Sequence, residues 1–374
     1  MENTDIRRGL EGVVVDSSSV SKVIADKSIL TYKGYDVSAL AENCSFLEVA
    51  YLLWHGELPS PAELAAFKSR EQELRNVSAA TQQVVTLFPR SAHPMDTIRT
   101  AVSFLGTEDP EPDATSPELQ LTRSMLLLAK IPTLVAADYR QRKGLKPIAP
   151  DSSLDFSENF FNMCFGKIPA KEVLEAFNVS LILYAEHGFN ASTFTARVIT
   201  SSMSDVYSAV TGAIGSLKGP LHGGANEAVM HTFMEIEDPA RAEAWLLEAL
   251  QSKRKIMGFG HRVYKKGDSR VPTMKKYFFA LAESAGQSKW SEMYSSLEST
   301  MIREKNIYPN LDFPAGPAYY LMGFDINLFT PIFVISRITG WTAHIMEQAQ
   351  SNRLIRPLSH YTGPAERNLP TSRD

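Results

Sequence analysis

Three side chains able to move protons stand in turns marked by glycine or proline: His222 in "KGPLHGGANE", His261 in "FGHR" and Asp312 in "YPNLDFPAG". Turns fixed by such residues are where catalytic groups are commonly displayed. Imidazole and carboxylate together supply general acid–base chemistry near neutral pH. Other readings fit the same residues one at a time. A histidine that only hydrogen-bonds a nearby carbonyl accounts for each turn, and an Asx turn before Pro314 accounts for Asp312. A facial triad of His, His and Asp on a metal is a third reading. The chain has no HxH or HExxH spacing and no local acidic cluster to strengthen it. His187, closing "LILYAEHGFNAS", is open in the same way, because a histidine near a helix C-terminus is often a cap. The histidines at 55, 93, 231, 344 and 360 are assigned to structure.

A second chemistry is suggested by "SKRKIMGFGHRVYKKGDSR", which sets seven cations against the single acid Asp268. Between the basic flanks lies Gly258-Phe259-Gly260, where backbone can approach a ligand closely. Exposed N–H groups among basic side chains describe a phosphate-bearing ligand. A solvated basic face fits the same stretch, and GxG is a weak pattern when no clear strand precedes it. Arg270, Arg337 and Arg356 are candidates for bidentate grips on carboxylates. Taken singly, each also reads as an ordinary salt-bridging residue.

The elements that must position these groups are mostly helices. "GVVVDSS", "VSKVI" and "SILTYKGYDV" predict short strands near the N-terminus. "SFLEVAYLLWHGELP" then opens with a capping box, Ser45 and Glu48, and stops at Gly56. "SPAELAAFKSREQELR" repeats the pattern with Ser60, Pro61 and Glu63. Further helical stretches follow, and "GTEDPEPDATSPE" reads as an exposed connection among them. The helix beginning near Thr330 is apolar almost all round, which predicts burial in the body or at a subunit contact. Arg337 lies in its middle, and a guanidinium there needs an anion to offset its desolvation. The fold class is mainly α with a little β at the N-terminus.

Composition narrows the function. With 374 residues, 44% hydrophobic and 21% charged, the chain is an ordinary globular protein of one or two domains. A net charge of −4 gives no reason to expect a nucleic-acid binder. Cys44 and Cys164 lack zinc-ligand spacing and suggest buried thiols in a reducing compartment. The opening "MENTDIRRGLEG" has no apolar core, and no apolar run reaches about 18 residues. The expectation is a cytoplasmic enzyme without a secretory signal or membrane span.

Taken in order, "AEHGFNASTFTARV", "GAIGSLKGPLHGGANEAV", "MGFGHRVYKKGDSRVP", "YPNLDF" and "FTPIFVISRITGWTAHIMEQ" with "RLIRP" resemble the citrate synthase family over roughly residues 30 to 365. The resemblance implies a homodimer with shared active sites. It implies a large helical domain, 1–217 and 325–374, and a smaller mobile helical domain, 218–324, that closes over substrate. It makes His222 the hydrogen-bond donor to the acyl-CoA carbonyl, Asp312 the base and His261 the acid on the oxaloacetate carbonyl. Oxaloacetate would be gripped by His187, Arg270, Arg337 and Arg356, the last from the second subunit, with Arg70 as a further basic contact. Lys255, Ile256, Met257, Gly258 and Phe259 would hold the CoA adenine, with Lys265 near its phosphates. No metal or other cofactor is implied, since acyl-CoA is a substrate. Within the family, "CSFLEVAYLLWHGELP" and "LDFPAGPAYYLMGFD" are most similar to 2-methylcitrate synthases of the actinobacterial and cold-active type, which accept propionyl-CoA and also acetyl-CoA. A dedicated citrate synthase is the alternative. A non-catalytic helical scaffold and a metal-dependent hydrolase are the rivals outside this reaction. The chain departs from common family residues at Gly188 and Ser269.

Overall fold

The computed structural model describes residues 6–264 and 267–369. Strands β1 (Ser21–Ile24), β2 (Ile29–Tyr32) and β3 (Tyr35–Asp36) form an antiparallel meander in which Lys22 faces Thr31 and Tyr32 faces Tyr35. The stretch at 12–18, expected as a strand, forms none: Gly12 closes a turn at φ +73 and residues 13–18 join no ladder. Its three valines are exposed, Val14 at 90%. β-branched residues with no neighbouring strand or core to cover them do not make a sheet.

Sixteen α-helices carry the rest of the described chain. The first half holds α1 (Val37–Asn43), α2 (Phe46–His55), α3 (Pro61–Leu74), α4 (Ala79–Thr86), α5 (Pro94–Thr107), α6 (Pro117–Arg142), α7 (Phe156–Phe165) and α8 (Lys171–Tyr184). The second half holds α9 (Ala191–Ser201), α10 (Val206–Leu217), α11 (Ala225–Ile236), α12 (Ala242–Gln251), α13 (Val271–Ser284), α14 (Lys289–Lys305), α15 (Asp312–Leu321) and α16 (Phe329–Gln350). Both expected capping boxes form: Ser45 and Glu48 open α2, and Ser60 and Glu63 open α3. A third, Asp155 with Glu158, opens α7. Gly56 ends α2 at φ +94, a left-handed position suited to glycine.

Every residue of α16 from 329 to 345 is buried. The helix is covered by α2, α6, α8, α9 and α10, which explains its apolar circumference. A second set of helices packs on itself: α11 and α13 against α15, and α12 against α14, with α13 also touching α8. No single helix among the described residues is long and apolar enough to cross a membrane. Among the described residues one pair, Asp312–Leu321 with Ile326–Gln350, is long and apolar enough when taken together, and it is bent by 120°. Both cysteines are free thiols, and Cys164 is buried.

Candidate active site

The end of helix α8 organises the site. The last carbonyls of any helix lack intrahelical partners and carry the negative end of its dipole. Here cations and hydroxyls satisfy them. The Nε of Arg337 donates to Tyr184 O at 2.6 Å, and Nη1 of Arg270 donates to Leu183 O at 3.4 Å. Ser336 Oγ caps Leu181 O, and Tyr32 Oη donates to Glu186 O at 2.9 Å. Two guanidiniums from distant parts of the chain thus meet at one helix terminus.

They are not equivalent. Arg270 is clamped by Asp268, Nε to Oδ1 at 2.9 Å and Nη2 to Oδ2 at 2.7 Å. Burial works against its charge, but Asp268 holds the guanidinium above its ordinary range. Arg337 makes no ion pair among the described residues, and its Nη1 is buried without a partner. Burial pushes it down to about 10, with Glu186 opposing and Arg270 adding to the fall. The anion that the sequence demanded for this arginine is only partly supplied by protein. Both guanidiniums line one cleft of about 1000 Å³.

The catalytic candidates face the same cleft, lined also by Gly9 to Val13 of the N-terminal segment. His261 is placed by two loops stitched together. Gly260 N donates to Tyr308 O at 2.8 Å, and Asn310 N donates to Gly258 O at 2.9 Å. Gly258 sits at φ +86, and a Cβ there would lie 2.6 Å from Val229 and 2.9 Å from Phe313. Only glycine fits. The Nδ1 of His261 accepts from Val263 N at 3.0 Å and Tyr264 N at 3.2 Å. That nitrogen carries no proton, so the neutral ring bears its proton on Nε2. Burial first, then the Arg270 charge, push this histidine down to about 4. It is a neutral hydrogen-bond donor at pH 7.

His222 occupies the turn before α11. Its Nε2 lies 2.8 Å from Ser192 Oγ and 3.1 Å from Asn190 Oδ1. Trp341 Nε1 donates to the same Ser192 oxygen at 3.0 Å. Burial and then Arg337 push His222 down to about 3, so it too is neutral. Gly223 follows because a Cβ there would strike Leu217 at 2.6 Å. His187 is buried against His261, ring centroids 4.9 Å apart, and its Nε2 has no partner among the described residues. Burial, then Arg270, keep it well below the usual histidine range.

Asp312 is the first residue of α15, where the helix dipole favours an anion. Burial nonetheless pushes its carboxyl up to about 6, against the opposing Tyr184 hydrogen bond and the Arg270 and Arg337 charges. Tyr184 Oη donates to its Oδ1 at 2.6 Å. A carboxylate poised near neutrality beside two neutral imidazoles can abstract a weakly acidic proton while donors steady the resulting oxyanion.

The cleft thus gathers His187, His222, His261, Arg270, Asp312, Arg337 and the stretch from Lys255 to Phe259. Arg70 is outside it, exposed on α3 and paired with Glu73 at 3.0 Å. Arg356 is exposed on the C-terminal segment and does not line the cleft of its own chain. Lys265 lies outside the described residues. No group of three His, Cys, Asp or Glu among the described residues is placed to hold a metal, so the metal triad gains no support. Sequence reasoning missed Tyr184 and the Asn190–Ser192–Trp341 cradle of His222. Asn190 was readable as the N-cap of α9; its contact with His222 was not.

Comparison with known proteins agrees with this geometry. The family description "Citrate synthase, C-terminal domain" matches residues 9–358. The 2-methylcitrate synthase of Mycobacterium tuberculosis (strain H37Rv) is 57% identical over 369 residues, 99% of this chain and 93% of that one. The citrate synthase of Mycolicibacterium smegmatis is 56% identical over 364 residues, 97% of each chain. The solved citrate synthase of Thermoplasma acidophilum, in ternary complex with carboxymethyl coenzyme A and oxaloacetate, superposes with a TM-score of 0.93 at 33% identity, covering 98% of this chain and 99% of that one. With sequence and backbone alike matched from end to end, the chain belongs to the citrate synthase family.

Proposed function

We propose that this enzyme condenses propionyl-CoA, and also acetyl-CoA, with oxaloacetate and water to give 2-methylcitrate, or citrate, and CoA. The observation that carries the reading is the buried Arg337, unpartnered at Nη1, which with Arg270 lines the cleft that also holds Asp312. Two guanidiniums suit a small dicarboxylate, and His187 adds a neutral ring beside them. Asp312 takes the α-proton of the acyl group. His222 donates to the thioester oxygen as the enol forms. The enol carbon attacks the ketone of oxaloacetate while the Nε2–H of His261 protonates its oxygen. Water then cleaves the thioester and drives the reaction forward. Base and donor act on opposite ends of one enolising unit, which a poorly acidic thioester requires.

The CoA adenine would rest on Lys255, Ile256, Met257, Gly258 and Phe259, with Lys265 near the phosphates. The reading carries a division into a large domain, 1–217 and 325–374, and a mobile smaller one, 218–324. It also carries a cytoplasmic homodimer in which Arg356 and Arg70 complete the ligand contacts, Arg356 reaching the neighbouring site. Similarity to a 2-methylcitrate synthase at 57% identity and to a citrate synthase at 56% leaves a dedicated citrate synthase as the second reading. One methylene is worth only about 1–3 kcal/mol of discrimination in an apolar pocket, so turnover of both acyl groups is expected. Thiol release from each acyl-CoA in the presence of oxaloacetate tests this. Release from acetyl-CoA alone would establish the second reading, and release from neither would overturn both.

A further inference from the structure

We propose that Tyr184 is the positioning residue of the base: its hydroxyl fixes one oxygen of Asp312 while its backbone carbonyl fixes Arg337, so one residue sets the base against the anion grip. The inference rests on the reading of Asp312 as the base.

Tyr184 ends helix α8 and is 1% exposed. Its ring packs on Phe333 at 4.2 Å between centroids and faces Tyr319 at 6.5 Å. Burial, and next the neighbouring Asp312, hold the phenol well above its usual range, so it stays protonated and can only donate here. The donation at 2.6 Å falls on Oδ1 of Asp312. A short bond from a neutral donor to a carboxylate favours the ionised form. It also stops rotation of the carboxylate and leaves Oδ2 to the substrate.

The charged and titratable groups around Asp312 come from every side. Arg270 and Asp268 lie at the start of α13, Arg337 on α16, Tyr319 on α15 itself, and Tyr184 on α8. Among their side chains, only Tyr184 hydrogen-bonds the carboxylate. Asp312 opens α15, which packs with α11 and α13, whereas Tyr184 ends α8, which packs on α16 and α1 and also meets α13 and α15. The Tyr184–Asp312 bond thus ties α8 to α15 beside the cleft, as the bond from Arg270 to Leu183 O ties α8 to the start of α13.

The test is kcat/KM for propionyl-CoA, at saturating oxaloacetate, across pH 5 to 9 in Tyr184→Phe. Phenylalanine keeps the ring against Phe333 and the carbonyl that holds Arg337. Removing a hydrogen bond from an ionised group raises its pKa, so the acid limb is expected to move up by about one unit. Turnover at pH 7 is expected to fall about tenfold, with the oxaloacetate dissociation constant changed less than about twofold. An unmoved acid limb overturns the proposal. Asp312→Asn measured alongside separates the two ideas. If it keeps activity, the base assignment itself fails; if it is inactive while Tyr184→Phe keeps the native limb, only the positioning role fails. Should Tyr184→Phe not fold, site-specific 3-fluorotyrosine at 184 preserves ring and hydroxyl and is a stronger donor. Its acid limb is then expected to move down, and no movement overturns the role.

Discussion

Asp312 is a residue whose chemistry and stability pull in opposite directions. Its carboxyl, held at about 6, binds a proton more tightly in the folded chain than in the unfolded one. Stability from this site is therefore full below the ordinary aspartate range, fades as pH rises through about 6, and is absent at pH 8. A shift of about two units corresponds to roughly 2–3 kcal/mol. Activity has the reverse dependence, since the base works only when ionised, and kcat/KM should climb with pH through about 6. Asp312→Asn is expected to melt higher than the native protein at pH 8 while losing about 10²–10⁴-fold or more in turnover. Calorimetry and a thiol-release assay on the same preparation check both; turnover within tenfold of native would show that another group takes the proton. At this scale the sequence was readable wherever a residue stood in a marked turn, as His222, His261 and Asp312 do. Tyr184 was not, because a tyrosine at the end of an amphipathic helix has no local mark. Its partner lies 128 residues away.

Elements were legible where local chemistry ends a helix and obscure where tertiary contact decides. Ser45, Ser60 and Gly56 close or open their helices by bonds within four residues, so pattern and structure agree. The valines at 13–15 have strand propensity but no partner, and propensity alone lost. The loop around Gly258 is an intermediate case: its basic flanks and glycines pointed to a ligand, while its stitching to residues 308–310 was invisible. That stitching makes the loop intolerant. Gly258→Ala would need φ +86 from an alanine and would push Cβ into Val229 and Phe313. A loss of about 1–3 kcal/mol in stability is expected, with a raised KM for acyl-CoA larger than any change for oxaloacetate. Urea unfolding and initial rates measure the two; an unaltered acyl-CoA KM would detach this loop from the CoA site.

For the whole molecule, the proposed ligands bind where two packed sets of helices face each other. Oxaloacetate would touch Arg337 from one side and Arg270 from the other, so it favours the conformation in which both are near. Bringing those sides together also brings His261 and the segment from Lys255 to Phe259 toward His222. Oxaloacetate is therefore expected to tighten acyl-CoA binding by about 1–3 kcal/mol of coupling. Calorimetric titration of a non-reactive acyl-CoA analogue, with and without oxaloacetate, reads this directly, and equal dissociation constants would mean a preformed site. Architecture at this scale was legible only through the resemblance of whole motifs, because nothing in periodicity tells which helices pack together.

The half-satisfied Arg337 inside α16 limits how this protein can become more robust. A buried guanidinium with one idle nitrogen is a place where an uncharged side chain of similar volume packs better. Arg337→Met is expected to melt higher than the native protein and to lose measurable oxaloacetate binding, which differential scanning calorimetry with and without the dianion would show. A lower melting temperature would mean that Glu186 and the α8 carbonyls already balance the charge. A library screened for heat resistance alone would thus discard an arginine the substrate requires, and any evolutionary path to a hotter habitat has to gain its stability elsewhere in the chain.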